Sequence, residues 1–180
     1  MIYTNKDFIV KDNLKITLKS PCVDDAQELV DYFSKVCTQT NLILTSYEDI
    51  PSVSEQAKLI ENIRQGNDYC ICAFLDNKII GLCNINFNTH LKNKHRCTFG
   101  IVVDKDYWRR GIGNILMDEM INIVKSKSEI KQIELETYSI NSRAISLYES
   151  KGFVKMGTIP NGYLHKDGTS YDEVLMIKTL

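Results

Sequence analysis

Residues 98–114, TFGIVVDKDYWRRGIGN, hold the change from strand to helix that decides the fold. An apolar strand ends near Val103, a polar loop follows, and Gly111 and Gly113 stand where a helix begins. The first turn of a helix leaves main-chain N–H groups without partners, and its dipole favours negative charge. Because glycine lets a ligand approach the main chain, and Arg109 and Arg110 supply forked donors, the segment is typical of a pyrophosphate site.

Three other interpretations of this segment are weighed against the same residues. A P-loop is excluded because no Gly-Lys-Ser/Thr follows with the required spacing. A dinucleotide-binding fingerprint is disfavoured, since only two glycines are present and the preceding strand is not the first of a β-α-β fold. A plain strand-to-helix turn with solvated arginines fits equally well, so the choice needs a second signal.

The surrounding elements follow from hydrophobic periodicity, helix caps and turn residues. Ser52 and Glu55 have the spacing of a capping box, which opens a helix that Gly66 closes. The turn pair Asp76-Asn77 joins two apolar runs into a hairpin. The predicted strands are 16–18, 69–75, 78–87, 96–103, 131–138, 153–156, 162–165 and 171–177, and the predicted helices are 24–37, 52–66, 111–127 and 142–151.

This order, an early meander of strands followed by a β-α-β unit, predicts a mixed α/β fold. Its central sheet is expected to be mostly antiparallel, with about seven strands and with helices on both faces. Residues 1–180 are expected to form a single domain, with 1–13 as a short N-terminal extension. Each of the three prolines, Pro21, Pro51 and Pro160, stands where an element is expected to break.

The composition is that of an ordinary globular protein, with 43% hydrophobic and 25% charged residues. A net charge of -1 argues against a general nucleic-acid-binding protein. The chain has no run of about 18 apolar residues and no secretory signal at its start, so we expect a cytoplasmic protein without a membrane span. The six cysteines form no C-x-x-C pair, which favours buried reduced thiols over a metal site.

Residues 141–153, NSRAISLYESKGF, supply the second signal. Together with 98–114 they resemble the GNAT N-acetyltransferase family. Its signatures are R/Q-x-x-G-x-G/A at a helix start and N-x-x-A-x-x-x-Y-x-x-x-G-F further along the chain. The resemblance covers roughly residues 14–178 and agrees with the predicted order of elements. The residues that match each fixed position of the second signature are Asn141, Ala144, Tyr148, Gly152 and Phe153.

One position departs from the family pattern. When the chain is aligned on Gly111 and Gly113, Trp108 stands where the family has Gln or Arg. The pair Tyr107-Trp108 is similar to the branch of ribosomal-protein and spermidine acetyltransferases. Which side chain of residues 108–110 contacts phosphate is therefore left open.

The resemblance implies that acetyl-CoA is the co-substrate, that no metal takes part, and that a neutral amine attacks the thioester directly. It implies that strands 96–103 and 131–138 splay apart to admit the pantetheine arm, and that Tyr148 protonates the leaving thiolate. The implied cofactor-binding residues are Ile101, Val102, Val103, Arg109, Arg110, Gly111, Ile112, Gly113, Asn114, Asn141 and Ala144.

These roles have structural alternatives. Tyr148 shares a helix face with Ala144 and can equally be a core tyrosine, while Asn141 can simply cap its helix. Glu134 and Glu136 are candidates for the base that deprotonates the amine, but they also fit a solvated strand face. No sequence signal positions the three histidines, His90, His95 and His165.

The implied reaction moves an acetyl group to a primary amine, with a small-molecule acceptor favoured. The alternatives are a protein N-terminal acetyltransferase and a non-catalytic sensor that binds acyl-CoA. No nucleic-acid or membrane partner is expected, and a homodimer through an exposed terminal strand or an apolar helix face is left open. The residues that suit a cationic amine are Tyr32, Tyr47, Glu48, Asp49, Glu55, Tyr163 and Asp172.

Overall fold

A computed structural model describes residues 1–180. Its eight strands form one sheet in the order β1-β2-β3-β4-β5-β6-β8-β7. The pairing of β5 with β6 is parallel, whereas β1–β2, β2–β3, β3–β4, β6–β8 and β7–β8 are antiparallel. The strands are β1 Lys6–Ile9, β2 Lys15–Lys19, β3 Tyr69–Leu75, β4 Lys78–Phe87, β5 Arg96–Val103, β6 Gln132–Tyr138, β7 Val154–Leu164 and β8 Ser170–Thr179.

Four α-helices accompany the sheet, so the predicted mixed, mostly antiparallel α/β class is confirmed. None of the four combines the length and the apolar character that a membrane span needs. The helices are α1 Ala26–Gln39, α2 Val53–Gln65, α3 Ile112–Lys125 and α4 Ser142–Ser150.

The sheet has eight strands rather than about seven, and the assignment of strands differs from the prediction in two places. Strand β1 lies within 1–13, the segment interpreted as an extension, and pairs with β2 along its whole length. The runs 153–156 and 162–165 were expected to be separate strands, but they belong to one strand, β7. A register shift between Ile159 and Tyr163 spans Pro160, which therefore does not end the strand as predicted. Because β7 is at the edge of the sheet, a residue without an N–H group is tolerated there.

The local signals for turns and caps are found where the sequence predicted them. Ser52 caps α2, accepting a hydrogen bond from the Glu55 main chain, and the Glu55 carboxylate accepts one from the Ser52 N–H at 2.9 Å. Asp76 and Asn77 both have positive φ, 48° and 63°, as a two-residue hairpin turn between β3 and β4 requires. Gly66 caps the end of α2 through its main-chain N–H.

The chain divides into two compact units. The first consists of Met1–Asn86 and Ile101–Met120, and the second of Phe87–Gly100 and Ile121–Leu180. Strand β5 and helix α3 each contribute residues to both units.

The first unit carries helices on both faces of its strands, as the sequence predicted. On one face α1 and α2 bury Leu29 and Ile60 against Cys72 of β3 and Leu82 of β4. On the other face α3 packs directly over Gly81, where a Cβ atom would lie 3.2 Å from the side chains of both Ile112 and Leu116. Position 81 is therefore a close-approach site between the sheet and α3.

The second unit packs α4 against the strands that follow it in the chain. Tyr148 and Phe153 are buried with ring centroids 6.1 Å apart, and Val174 and Met176 of β8 are also in the core. Of the six cysteines, all of which are free thiols, Cys70, Cys72, Cys83 and Cys97 are buried and the other two are partly buried. This agrees with the predicted buried reduced thiols.

Candidate functional site

The carboxyl end of β5 has its main chain held by side chains from α1 and from the loop that follows. The hydroxyl of Tyr32 donates a 2.8 Å hydrogen bond to the carbonyl oxygen of Val102. The indole Nε1 of Trp108 donates one of 2.6 Å to the carbonyl oxygen of Val103. The N–H of Asp104 donates to the carbonyl oxygen of Ile80 in β4 at 3.0 Å.

Since main-chain groups of successive residues point to opposite sides of a strand, the direction of Asp104 orients its neighbours. The N–H of Asp104 points toward β4. The main-chain groups of Val103 and Ile101 therefore point to the side of β5 away from β4. On that side the Val103 carbonyl already accepts the bond from Trp108. The N–H of Val103 and the N–H and carbonyl of Ile101 are the groups that an extended ligand could use as if it were an added strand.

Asp104 is the buried anchor of this strand end, with an exposed fraction of 2%. Its carboxylate accepts hydrogen bonds from Lys35 Nζ at 2.7 Å, Gln39 Nε2 at 2.8 Å and the main-chain N–H of Asp106 at 3.0 Å. Burial by itself would raise the pKa of Asp104, but the bonds from Lys35, Gln39 and Asp106 outweigh it and lower the pKa below its usual value. The carboxylate therefore stays ionised and fixes the start of the loop.

The loop from Lys105 to Gly111 has the backbone of an anion-binding nest. A short 3-10 turn, Lys105–Tyr107, is followed by Arg109 with φ 62° and Gly111 with φ 92°. Left-handed residues in such a run turn successive N–H groups toward one concave surface. A Cβ on Gly111 would meet no atom within 4 Å, so glycine is needed here for its backbone conformation rather than for space.

The two arginines of the loop have different surroundings. The guanidinium of Arg110 lies 3.4 Å from the carboxylate of Asp12 and 5.6 Å from the ring centre of Tyr107. Its carbonyl oxygen accepts a hydrogen bond from the N–H of Lys11. Arg109 is exposed to solvent. The structure thus ties Arg110 to the N-terminal segment and leaves Arg109 at the surface of the loop.

Helix α3 begins at this loop and presents its free N–H groups there. Its first main-chain bond runs from the N–H of Ile115 to the carbonyl of Gly111. The N–H groups of residues 112–114 therefore precede the helical hydrogen-bond ladder. The side chain of Ile112 is buried, so only its main chain is available to a ligand. Gly113 and Asn114 occupy the remaining positions of this first turn.

In the second unit, β5 and β6 pair only briefly. The parallel ladder joins Arg96 to Gln132, Cys97 to Ile133 and Thr98 to Glu134, and it ends there although both strands continue. From Gln132 to Tyr138, β6 remains paired with β8 on its other side. The parallel ladder therefore ends at Thr98 and Glu134, before either strand does.

Burial separates the two glutamates that were candidates for the base. Glu134 is 8% exposed, forms an ion pair with Arg96, and accepts a 2.7 Å bond from Gln132 Nε2. Glu136 is exposed. Partial burial, the charge of Glu136 and a hydrogen bond with Glu136 together raise the pKa of Glu173. The side chains of Glu136 and Glu173 therefore lie close to each other.

Tyr148 is buried on α4, as the core alternative required, and it is 6% exposed. Burial raises the pKa of Tyr148 to about 12, although the nearby Arg143 acts in the opposite direction. Asn141 caps α4 by accepting a 3.3 Å bond from the N–H of Ala144 through its side-chain oxygen. This is the capping role that the sequence allowed, and it leaves the side-chain NH₂ of Asn141 outside that bond.

A cluster of aromatic residues, which sequence reasoning recognised only in part, completes the second unit. The rings of Tyr138 and Tyr163 are stacked at 4.1 Å, and the hydroxyl of Tyr138 lies 3.1 Å from His165 Nε2. The ring of Tyr171 lies 5.0 Å from that of His165. Burial, followed by the charges of Glu173 and Glu136, raises the pKa of Tyr163. The sequence did not identify Tyr138 as a site residue, because it is the last residue of β6 and the alternation of that strand distinguishes only buried from exposed positions.

The other candidates for the acceptor region are scattered. Tyr32 is buried and holds the main chain of β5, which leaves it unable to meet an acceptor. Glu48, Asp49 and Glu55 line a shallow groove together with Pro51 and Lys58. Tyr47 and Asp172 remain exposed at the surface, and so do two of the histidines that no sequence signal positioned, His90 and His95.

Comparison with known proteins places this arrangement in a family. Residues 36–153 match the family model described as the acetyltransferase (GNAT) family. The chain is 30% identical over 108 residues to an L-amino acid N-acetyltransferase of Escherichia coli, covering 60% of this chain and 66% of that protein. It is 36% identical over 78 residues to the ribosomal protein bS18-alanine N-acetyltransferase of Escherichia coli, covering 43% of this chain.

The chain spans somewhat less than two thirds of the first of these relatives and 51% of the second. A solved GNAT acetyltransferase from Streptococcus pneumoniae superposes with a TM-score of 0.86 at 26% identity. That superposition covers 92% of this chain and 99% of the other. By its family match and its fold, the chain belongs to the GNAT acetyltransferase family.

Proposed function

We propose that this protein transfers an acetyl group from acetyl-CoA to a primary amine, by direct attack in a ternary complex. The proposal rests on a continuous series of main-chain groups in the first unit that a ligand could bind. The series begins at Ile101–Val103, on the side of β5 away from β4. It continues through the nest at Arg109 and Gly111 to the free N–H groups at the start of α3. An extended arm that ends in a diphosphate matches that succession of groups.

Each cofactor-binding residue then has a specific part. The main chain of Ile101, Val102 and Val103 would line the pantetheine arm, and one of its N–H groups would stabilise the oxyanion of the tetrahedral intermediate. The main chain of residues 111–114 would receive the diphosphate. Arg109, rather than Arg110, would add the charge, since Arg110 is already engaged with Asp12. We propose that Asn141 and Ala144 contact the pantetheine arm from α4.

Tyr148 is proposed to protonate the leaving thiolate. A pKa of about 12 keeps its phenol protonated throughout the range in which an enzyme works, so the proton is always available. The donated proton would turn the departing sulfur into the neutral thiol of CoA, while the amine nitrogen gives up one proton to a base. General acid catalysis by a placed side chain typically contributes about 10² to 10⁴-fold.

Glu136 is proposed as that base, directly or through water. It is exposed and lies beside Glu173, whereas Glu134 is buried and paired with Arg96. Gly162 makes the arrangement possible, because a Cβ there would lie 2.5 Å from the Cβ of Glu173. The same carboxylates would attract a cationic amine before it is deprotonated.

The acceptor is proposed to be a small amine. The similarity to an L-amino acid N-acetyltransferase supports this choice, and the similarity to a ribosomal-protein-alanine N-acetyltransferase supports a protein N-terminus as the second candidate. A sensor that binds acyl-CoA without turnover is the third. We also propose that the protein works in the cytoplasm.

A homodimer is proposed to form through β7. This edge strand exposes Val154, Met156, Ile159 and Leu164, each by more than half of its surface. Sedimentation of the wild-type protein as a dimer, and of Met156→Lys as a monomer, is the expected result. A monomeric wild type at high concentration would contradict this part of the proposal.

The test is release of free CoA thiol, followed with a panel of amino acids, polyamines and short peptides after acetyl-CoA binding has been measured by calorimetry. We expect release that depends on the amine, and a fall of kcat by about a hundredfold or more in Tyr148→Phe. Tyr69→Phe, which removes a hydroxyl from β3, is the matched control and should keep the wild-type rate. Binding without release for every amine would favour the sensor, and no binding at all would exclude the proposal.

A further inference from the structure

Trp108 connects the two main-chain segments to which the cofactor is proposed to bind. Its indole Nε1 reaches back 2.6 Å to the carbonyl of Val103, the last residue of β5. Its own main chain leads directly into Arg109, the first left-handed residue of the nest. One side chain therefore spans from the phosphate loop to the end of the pantetheine strand.

The loop is tied to α1 by Lys105 and Asp106, which contact Gln39 and Lys35, and two further bonds lie within the loop itself. The N–H of Tyr107 donates to the carbonyl of Asp104 at 3.0 Å, and the N–H of Trp108 donates to the carbonyl of Lys105 at 3.2 Å. These bonds shape the 3-10 turn. The indole bond acts differently, because it holds the far end of that turn against the strand from which the turn departs.

Such a connection matters for a ligand that binds at two places. A molecule whose diphosphate and pantetheine arm bind separate segments gains from the second contact only when the two segments are held at the matching distance. An indole carries no charge to offer a phosphate. At this position, where the family has Gln or Arg, the indole can instead hold the phosphate loop in place relative to β5.

We infer that Trp108 is a positioning residue that sets the distance between the phosphate loop and the pantetheine strand. The inference rests on the proposed function, since it requires that acetyl-CoA spans both segments. The charge for the diphosphate comes from Arg109 and the N–H groups of α3. Removal of the indole N–H leaves each segment intact but lets the loop move relative to β5.

The test compares the whole cofactor with its two parts in Trp108→Phe, which keeps an aromatic ring and removes the donor. Acetyl-pantetheine, which has no nucleotide, serves as the arm, and 3′-phosphoadenosine 5′-diphosphate serves as a competitive inhibitor for the phosphate segment. We expect kcat/KM for acetyl-CoA to fall by about threefold to tenfold, the equivalent of one hydrogen bond. We expect kcat/KM for acetyl-pantetheine, and Ki for the nucleotide, to stay at the wild-type values.

An equal fall of kcat/KM for both acetyl donors would overturn the inference, because the indole would then act on the arm itself. So would an unchanged kcat/KM for acetyl-CoA, or a rise in Ki as large as the loss with acetyl-CoA. Incorporation of 3-benzothienylalanine at position 108 replaces the N–H by sulfur in a ring of the same shape. It should give the same pattern, and it keeps the test available if Trp108→Phe does not fold.

Tyr32→Phe is the matched control. It removes the neighbouring side-chain bond to the carbonyl of Val102 without touching the loop. The ratio of kcat/KM between acetyl-CoA and acetyl-pantetheine should therefore equal that of the wild type. A wild-type protein that transfers no acetyl group would defeat the proposed function, whereas a wild-type ratio in an active Trp108→Phe would defeat this inference alone.

Discussion

At the scale of single residues, the two glutamates of β6 show how the surroundings assign roles to identical side chains. Glu136 is exposed and lies beside Glu173, while Glu134 is buried and paired with Arg96. We predict that Glu136→Gln lowers kcat by about a hundredfold or more, because the amine loses its base. The measurement is the initial rate of thiol release at saturating amine.

Glu134→Gln is the control for this prediction. It breaks the pair with the partly buried Arg96 and should lower the melting temperature. It should leave kcat of the folded enzyme within about threefold of wild type, since Glu134 is buried and is not the proposed base. If Glu134→Gln lost the activity and Glu136→Gln retained it, the assignment would have to be reversed.

Part of this site could be predicted from the sequence, but the part that depends on contacts between distant residues could not. Gly111 and Tyr148 were recognised because backbone freedom and a motif spacing are written in the chain. The alternation of β6 placed Glu134 and Glu136 on one face, but the difference between them comes from Arg96, 38 residues away from Glu134. Stacking of Tyr138 on Tyr163 depends likewise on strands distant in sequence.

At the scale of elements, the buried carboxylate of Asp104 anchors the junction from β5 to the phosphate loop. Asp104→Asn should lower the free energy of unfolding by about 1–3 kcal/mol, since Lys35 and Gln39 lose a charged partner. Because the pKa of Asp104 is lowered in the folded state, its stabilisation is fully present above its ordinary value of 3.8 and is lost as the pH falls below it.

Urea unfolding as a function of pH checks this prediction. The difference in unfolding free energy between wild type and Asp104→Asn should be constant near neutrality and shrink in acid. A difference that grew as the pH fell would show that the carboxylate does not gain its stability from being ionised.

The packing of α3 on β4 gives a second prediction at this scale. Gly81→Val should lower both the melting temperature and the affinity for acetyl-CoA, because added atoms would press on Ile112 and Leu116 at the start of α3. Gly157→Val, at a position with open space around it, is the matched control. Equal losses in the two variants would argue against a special role for the contact between β4 and α3.

At the scale of the whole molecule, the order of helices and strands was readable because each has its own period, cap or turn. Two features could not be predicted in this way. The pairing of β1 with β2 involves a short segment with a weak hydrophobic pattern. The continuity of β7 through Pro160 depends on the position of β7 at the edge of the sheet. Long-range pairing leaves little trace in local sequence.

Mass spectrometry of protein and amine after incubation with isotopically labelled acetyl-CoA shows whether acetyl transfer occurs and whether it is direct. If the amine attacks acetyl-CoA directly, the label reaches the amine only when protein, acetyl-CoA and amine are all present, and the protein itself carries no acetyl group when the amine is omitted. A labelled protein that passes its acetyl group on in a second step would contradict direct attack. An unlabelled amine throughout the panel, with no heat of acetyl-CoA binding, would contradict the transferase itself.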